Sequence, residues 1–357
     1  MPVEPNPSEP NPFGPNPFGP APFGPAPFEP APEVRHLIDA ASSQFPALGS
    51  ELTDIKDVRA FFAARPAPPA SDIEVAHVAD EDANGVRVRV YDPTNGADGT
   101  GDTNGTGGTD GTGGTDGTGG TDGTGEVPVV VFAHGGGFCL CGLDSHDGFC
   151  RAMTVATGAV VVSVGYRLAP EHPFPAAPED CYTALLWAAK RYPGRRLAVA
   201  GDSAGANLAA VMALTAQDRG GPELVCQALY YPMLDPTRHG ASHERNAQGY
   251  FLTADHVRWY WDRYLADPAH GADPYASPLR RADLSGLPPA HMVTAGLDPL
   301  CDDGWAYARA LADAGVEVRM THLPGMFHGF LSMAGALPEA ARTRDDAFAA
   351  LRRALHG

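Results

Sequence analysis

The stretch Leu197-Ala198-Val199-Ala200-Gly201-Asp202-Ser203-Ala204-Gly205 leaves this chain few ways to fold. A short apolar run gives way to a G-x-S-x-G turn, and the turn to small and apolar residues over positions 204–216. Strand, sharp turn and helix is the order these patterns predict. The residue types have a chemical reason. A serine hydroxyl is a weak nucleophile and must stand clear of its backbone, within reach of a base and of donors for an oxyanion. A tight strand-to-helix turn achieves this, and glycines flank the serine because a side chain would crowd the turn. The motif is short enough to arise by chance, so its weight comes from what accompanies it.

What accompanies it is a regular alternation. Apolar strands are expected over residues 127–133, 159–164, 197–200, 224–230, 290–294 and 316–321, separated mostly by helical stretches. Short buried strands alternating with helices predict a doubly wound α/β fold with a mainly parallel sheet. Upstream, residues 33–47 and 54–64 have helical spacing, with Val34, Leu37, Ile38 and Ala41 on one face. Residues 73–78 and 86–91 alternate like strands and predict an antiparallel pair that opens the sheet.

Two segments stand apart. Residues 1–32 hold 13 prolines, with Phe13, Phe18, Phe23 and Phe28 in a near five-residue repeat. That composition favours extended polyproline conformations and is read as a disordered tail rather than a partner-binding segment. Residues 97–125 are almost wholly Gly, Thr, Asp and Asn. Calcium-binding glycine repeats need a recurring large apolar residue, which is missing here, so a flexible surface insertion is expected. Without both, roughly 290 residues remain, the size of one large α/β domain with an appended piece.

A formal charge of −18 argues against nucleic acid and against an anionic membrane as partners. No apolar run approaches membrane-spanning length. The first residues, Met1-Pro2-Val3-Glu4-Pro5, lack a basic region and an apolar h-region, so a cytoplasmic location is expected. Six cysteines without a C-x-x-C pair read as buried free thiols.

Three further stretches carry chemistry. The strand over 127–133 runs into His134-Gly135-Gly136-Gly137-Phe138. Consecutive glycines let backbone N–H groups approach a ligand, and Gly135 and Gly136 are expected to form an oxyanion hole with Ala204. His134, Gly137 and Asp202 are expected to support that site. Downstream, one strand leads into Asp298-Pro299-Leu300 and the next into Gly325-Met326-Phe327-His328-Gly329. Parallel sheets gather ligands at the carboxyl ends of their strands, so Ser203, Asp298 and His328 can converge. His328 would take the serine proton, and Asp298 would fix the imidazole tautomer. Asp302 and Asp303 lie further into the next helix, where acidic residues serve capping and the helix dipole. Asp144 and His146 are candidates for holding the oxyanion loop, and Arg167 and Glu171 for an ion pair. Zinc at His134, Cys139, Cys141 and His146 is disfavoured, since C-x-C spacing suits zinc poorly and the cluster straddles the glycine loop.

Together, His134-Gly135-Gly136-Gly137, Tyr166-Arg167-Leu168-Ala169-Pro170-Glu171, Gly201-Asp202-Ser203-Ala204-Gly205 and Asp298-Pro299-Leu300 resemble the hormone-sensitive-lipase family of bacterial carboxylesterases. The resemblance spans residue 33 to the end, apart from the glycine-rich insertion. It implies an α/β-hydrolase core under a cap built from the N-terminal helices and from a second segment near 236–270. It further implies a serine esterase for short- to medium-chain esters, with no metal or organic cofactor, a small-molecule ester as its partner, and homodimers as relatives commonly form. Phe138, Tyr250, Phe251 and Phe327 are candidates for the substrate wall. The same triad would serve amide or carbamate hydrolysis. A ligand-binding protein on an inactive scaffold is the remaining alternative, and plant hormone receptors that resemble this family lose the histidine that stands here as His328.

Overall fold

The computed structural model describes residues 29–64, 71–94, 126–237 and 240–357. The proline-rich tail, up to residue 28, and the glycine-rich insertion lie outside the described residues. The chain opens with two helices, α1 (Pro32–Ser43) and α2 (Ile55–Ala63), the second capped by the Asp54 carboxylate accepting from Lys56 N. Strands β1 (His77–Ala83) and β2 (Val86–Asp92) follow as a hairpin. The alternating core is β3 (Val129–Ala133), α3 (Asp147–Thr157), β4 (Val160–Gly165), α4 (Ala176–Arg191), β5 (Leu197–Asp202), α5 (Ala204–Asp218) and β6 (Leu224–Tyr230). After an excursion through α6 (Ser242–Arg245) and α7 (Ala254–Tyr264) come β7 (Ala290–Leu297), α8 (Cys301–Asp313), β8 (Val318–Phe327) and α9 (Pro338–His356).

All eight strands form one sheet in the order β1-β2-β4-β3-β5-β6-β7-β8. Pairing is antiparallel for β1 with β2 and for β2 with β4, and parallel elsewhere. The α/β-hydrolase expectation holds. Strand β3 is buried on both faces, which is why it reads as an unbroken apolar run. Val129 and Val131 pack with Ala184 and Leu185 of α4 and Leu208 of α5. Val130 and Phe132 pack with Phe149 of α3 and Phe348 and Leu351 of α9. Helices thus cover both faces of the sheet, and the carboxyl ends of the parallel strands stay open for a site.

The first strand departs from expectation. It runs over His77–Ala83 rather than 73–78, and its residues Asp80, Glu81 and Asp82 spoil any apolar alternation. The turn fixes it instead: Asn84 (φ 58°) and Gly85 (φ 93°) both take the positive φ of a two-residue hairpin, and Ala83 pairs with Val86. An acidic edge strand also resists pairing with another chain. Among the described residues, no helix is long and apolar enough to cross a membrane.

Candidate active site

Strand β5 ends at Asp202 and α5 begins at Ala204, so Ser203 alone makes the turn, at φ 55° and ψ −119°. A β-carbon on Gly201 would strike the Gly205 carbonyl, and one on Gly205 would strike the Ala133 carbonyl. Nothing larger than glycine fits on either side of the turn. Ser203 N donates to Tyr230 O (2.9 Å), which pins the turn to the neighbouring strand. The strained φ aims the hydroxyl at the carboxyl end of the sheet.

Asp298 and His328 each follow a strand end, Leu297 of β7 and Phe327 of β8. His328 Nε2 lies 2.9 Å from Ser203 Oγ, and His328 Nδ1 lies 2.7 Å from Asp298 Oδ2. Asp298 is fully buried, and its Oδ1 accepts from Leu300 N (2.9 Å). The turn that carries it is held from the end of α6: Asn246 Nδ2 donates to both Gly296 O and Asp298 O, at 2.9 Å each. Such a relay can move a proton from the hydroxyl to the imidazole while the carboxylate steadies the imidazolium.

Asp302 and Asp303 do lie in the first turn of α8, as expected, but they do more than cap it. Both are buried. Asp302 Oδ2 accepts from Ser242 N (2.9 Å), and Asp303 Oδ1 lies 3.1 Å from His243 Nε2. They tie α6 to the core, and neither carboxylate touches His328.

The glycine loop corrects one expectation. Gly135 N–H donates to Asp202 Oδ1 (2.8 Å), so it is spent on the protein and is not free for a substrate. Gly136 and Gly137 N–H donate to nothing among the described residues, and both border the cleft. Ala204 is the first residue of α5, where a helix leaves its N–H groups unpaired. Helices α2 and α7 hold the loop. The Tyr260 ring of α7 packs where a Gly137 side chain would sit. Arg59 of α2 donates to Cys139 O (3.0 Å from Nη2) and Ala169 O (2.9 Å), and pairs with Glu171 (2.8 Å). The expected Arg167–Glu171 pair therefore does not form; Arg167 instead grips Asp180 in a bidentate pair (2.7 Å from Nη2 to Oδ1). Asp144 points to solvent and meets Arg89 (2.9 Å), whereas His146 does reach the site, with Nε2 3.2 Å from Asp202 Oδ1. Burial pushes the Asp202 carboxyl up, but His146 and the Gly135 N–H outweigh it and the net shift is down.

His134 is buried, stacked on Tyr166 (centroids 4.2 Å apart), and burial together with the nearby His146 ring lowers it to about 3. His322 is lowered to about 4, first by burial and then by Arg245. Both folded values lie below the ordinary 6.5, so their contribution to stability is full above pH 6.5 and is lost as pH falls toward 4 and 3. At pH 5, His134 alone should cost about 2 kcal/mol, with a smaller share from the more exposed His322. Thermal melts at pH 8 and pH 5 test this: His134→Asn should flatten the acid limb by that amount. An unchanged slope would show that other groups carry it.

Ser203 and His328 open into a cleft of about 550 Å³. Of the four aromatics expected on its wall, only Phe251 lines it. Phe138, at φ 63°, turns into the core and stacks on Tyr264 (3.7 Å between centroids). Tyr250 and Phe327 are buried in the layer beneath, Phe327 against the edge of Phe251 (6.2 Å). Beside it, the wall is made by Phe45, Phe62, Leu168, Leu252 and Tyr260. Cys141 also faces the cleft, unlike the other five cysteines, which are buried.

Comparison with known proteins agrees with this geometry. The family model described as the alpha/beta hydrolase fold matches residues 130–332. The chain is 46% identical over 243 residues to carboxylesterase NlhH of Mycobacterium tuberculosis, covering 65% of this chain and 75% of that protein. It is 39% identical over 219 residues to an ethyl acetate hydrolase of Pseudomonas putida, covering 59% and 68%. The solved esterase of Pyrobaculum calidifontis superposes with a TM-score of 0.77 at 34% identity, covering 92% of this chain and 100% of that one. This chain thus belongs to the alpha/beta hydrolase fold family, among the hormone-sensitive-lipase-like carboxylesterases, and is a carboxylic ester hydrolase.

Proposed function

We propose that Ser203, His328 and Asp298 hydrolyse short- to medium-chain carboxylic esters through an acyl-enzyme. The observation that carries this is the unbroken chain of contacts from Ser203 Oγ to His328 (2.9 Å) and on to Asp298 (2.7 Å). Ser203 Oγ attacks the ester carbonyl as His328 Nε2 takes its proton. The carbonyl oxygen, now an oxyanion, is met by the N–H groups of Gly136, Gly137 and Ala204. Collapse of the tetrahedral intermediate expels the alcohol, which receives the proton from His328. Water then repeats the sequence on the acyl-serine and releases the acid. The largely apolar side chains of the cleft suit an aliphatic or aromatic acyl group. A histidine in contact with both partners favours catalysis over a ligand-binding role.

A panel of p-nitrophenyl esters from acetate to palmitate, with matching anilides and carbamates, tests the proposal. Short and medium esters are expected to give the highest kcat/KM, with a steep fall at long chains. Anilides turned over as well as esters would make this an amidase, and long-chain preference would refute the acyl range.

A further inference from the structure

Asp202 presents a difficulty at this site. Its carboxylate is one residue from the proposed nucleophile, and its Oδ1 holds the first glycine of the loop whose next two residues border the cleft. A bare negative charge buried there would oppose the negative charge that develops on the substrate oxygen. Something must offset it.

His146 is placed to do so. It ends a single 3₁₀ turn (Asp144–His146) just before α3, and its Nε2 is 3.2 Å from Asp202 Oδ1, each side chain 11% exposed. Its other nitrogen, Nδ1, lies 2.9 Å from Ser145 Oγ. Ser145 Oγ accepts from Gly142 N (3.0 Å) and lies 2.8 Å from Gly142 O; with its single proton donated there, it faces His146 as an acceptor. An ionised carboxylate is an acceptor only. In that arrangement both ring nitrogens face acceptors.

We propose that His146 is a positioning residue that, as an imidazolium, cancels the charge of Asp202 beside the oxyanion hole, leaving Asp202 free to anchor the Gly135 N–H. The inference rests on Ser203 being the nucleophile. The other charged groups nearby are already engaged. Asp147 on the same segment meets Arg151 (2.7 Å) and Arg89 (3.5 Å), and Asp144 meets Arg89 (2.9 Å). His134, with its ring centroid 5.7 Å from that of His146, is held neutral by burial. Among the described residues, His146 is the only group in an ion pair with Asp202.

Two variants separate charge from hydrogen bonding. His146→Gln can still donate to Asp202 but brings no charge; D202N in that background removes the charge to be offset while keeping an acceptor for Gly135. With p-nitrophenyl acetate, H146Q is expected to lose about 10²-fold in kcat, the scale of one oxyanion-hole donor, with KM little changed. The double variant D202N/H146Q is expected to regain about tenfold over H146Q, and to melt at a higher temperature, since no lone buried charge remains. Wild-type kcat in H146Q would overturn the proposal. So would a double variant neither faster nor more stable than H146Q. If H146Q is insoluble, the double variant decides: soluble and active supports charge cancellation, insoluble refutes it. Labelling of the wild-type enzyme by diethyl p-nitrophenyl phosphate, mapped by mass spectrometry, tests the nucleophile separately. A label on Ser203 with failed rescue sinks only the role of His146; a label elsewhere sinks the triad.

Discussion

Ser203→Ala is expected to lower kcat for a p-nitrophenyl ester by about 10⁵-fold or more, leaving only the roughly 10³-fold advantage over water that oxyanion donors and binding provide. The change deletes one oxygen. The backbone bonds that shape the turn, Ser203 N to Tyr230 O (2.9 Å) and Met233 N to Ser203 O (3.2 Å), do not depend on it. Alanine must still adopt the φ of 55° that the turn imposes, as serine does, so no new strain enters. Among the described residues, the hydroxyl's one side-chain partner is His328, at 2.9 Å. Melting temperature should therefore stay within a few degrees of wild type. Activity within tenfold of wild type, in protein shown by mass spectrometry to carry alanine, would mean that the nucleophile lies elsewhere.

The convergence of Ser203, Asp298 and His328 could be read in the sequence because each sits at a strand end and the strands are strongly apolar. Once β5, β7 and β8 are recognised as parallel, Ser203, Asp298 and His328 have nowhere to go but the same edge of the sheet. Details that depend on pairing across the fold were harder to see. Which glycine N–H is free is decided by Asp202, 67 residues from Gly135, and nothing local in His134-Gly135-Gly136-Gly137 reveals it. Glu171 is the near neighbour of Arg167 in sequence, but Asp180 is brought to it by the first turns of α4 and Arg59 claims Glu171. Aromatic character alone could not place the cleft wall. Phe138 and Phe251 both have positive φ, yet one ring enters the core and the other the cleft. Strand β1 has too many charges to show periodicity, but the Asn84-Gly85 pair was a usable signal for the hairpin. Arg59 and Asn246, which tie α2 to the glycine loop and the end of α6 to the Asp298 turn, carry no motif at all.

Asp298→Asn is expected to reduce kcat by about 10⁴-fold, whereas Asp302→Asn should cost less than about tenfold in kcat and act mainly on stability. Asp298 Oδ2 receives the proton on His328 Nδ1 (2.7 Å), which leaves Nε2 unprotonated and able to accept from Ser203. An asparagine there can turn its NH₂ toward Nδ1. The imidazole then carries its proton on Nε2, the wrong nitrogen for a base, and the imidazolium formed later has no counter-charge. The backbone keeps its bonds, because Asn246 holds the Asp298 and Gly296 carbonyls and, with the NH₂ turned toward Nδ1, the remaining oxygen still accepts from Leu300 N (2.9 Å). Asp302 sits only a few residues along the chain, but its carboxylate faces the other way, accepting from Ser242 N (2.9 Å) and facing Arg245 Nη2 (3.5 Å). Neutralising it weakens the attachment of α6, a loss of about 1–3 kcal/mol that a thermal melt would show. Its effect on turnover has to be passed on through α6, by Asn246 or by Ser242 Oγ on Pro299 O (2.6 Å), before it reaches Asp298. Steady-state kinetics at pH 8 with parallel melts distinguish the two variants. Should Asp302→Asn prove the slower enzyme while melting like wild type, Asp302 would be the acid that serves His328, and Asp298 would lose that role.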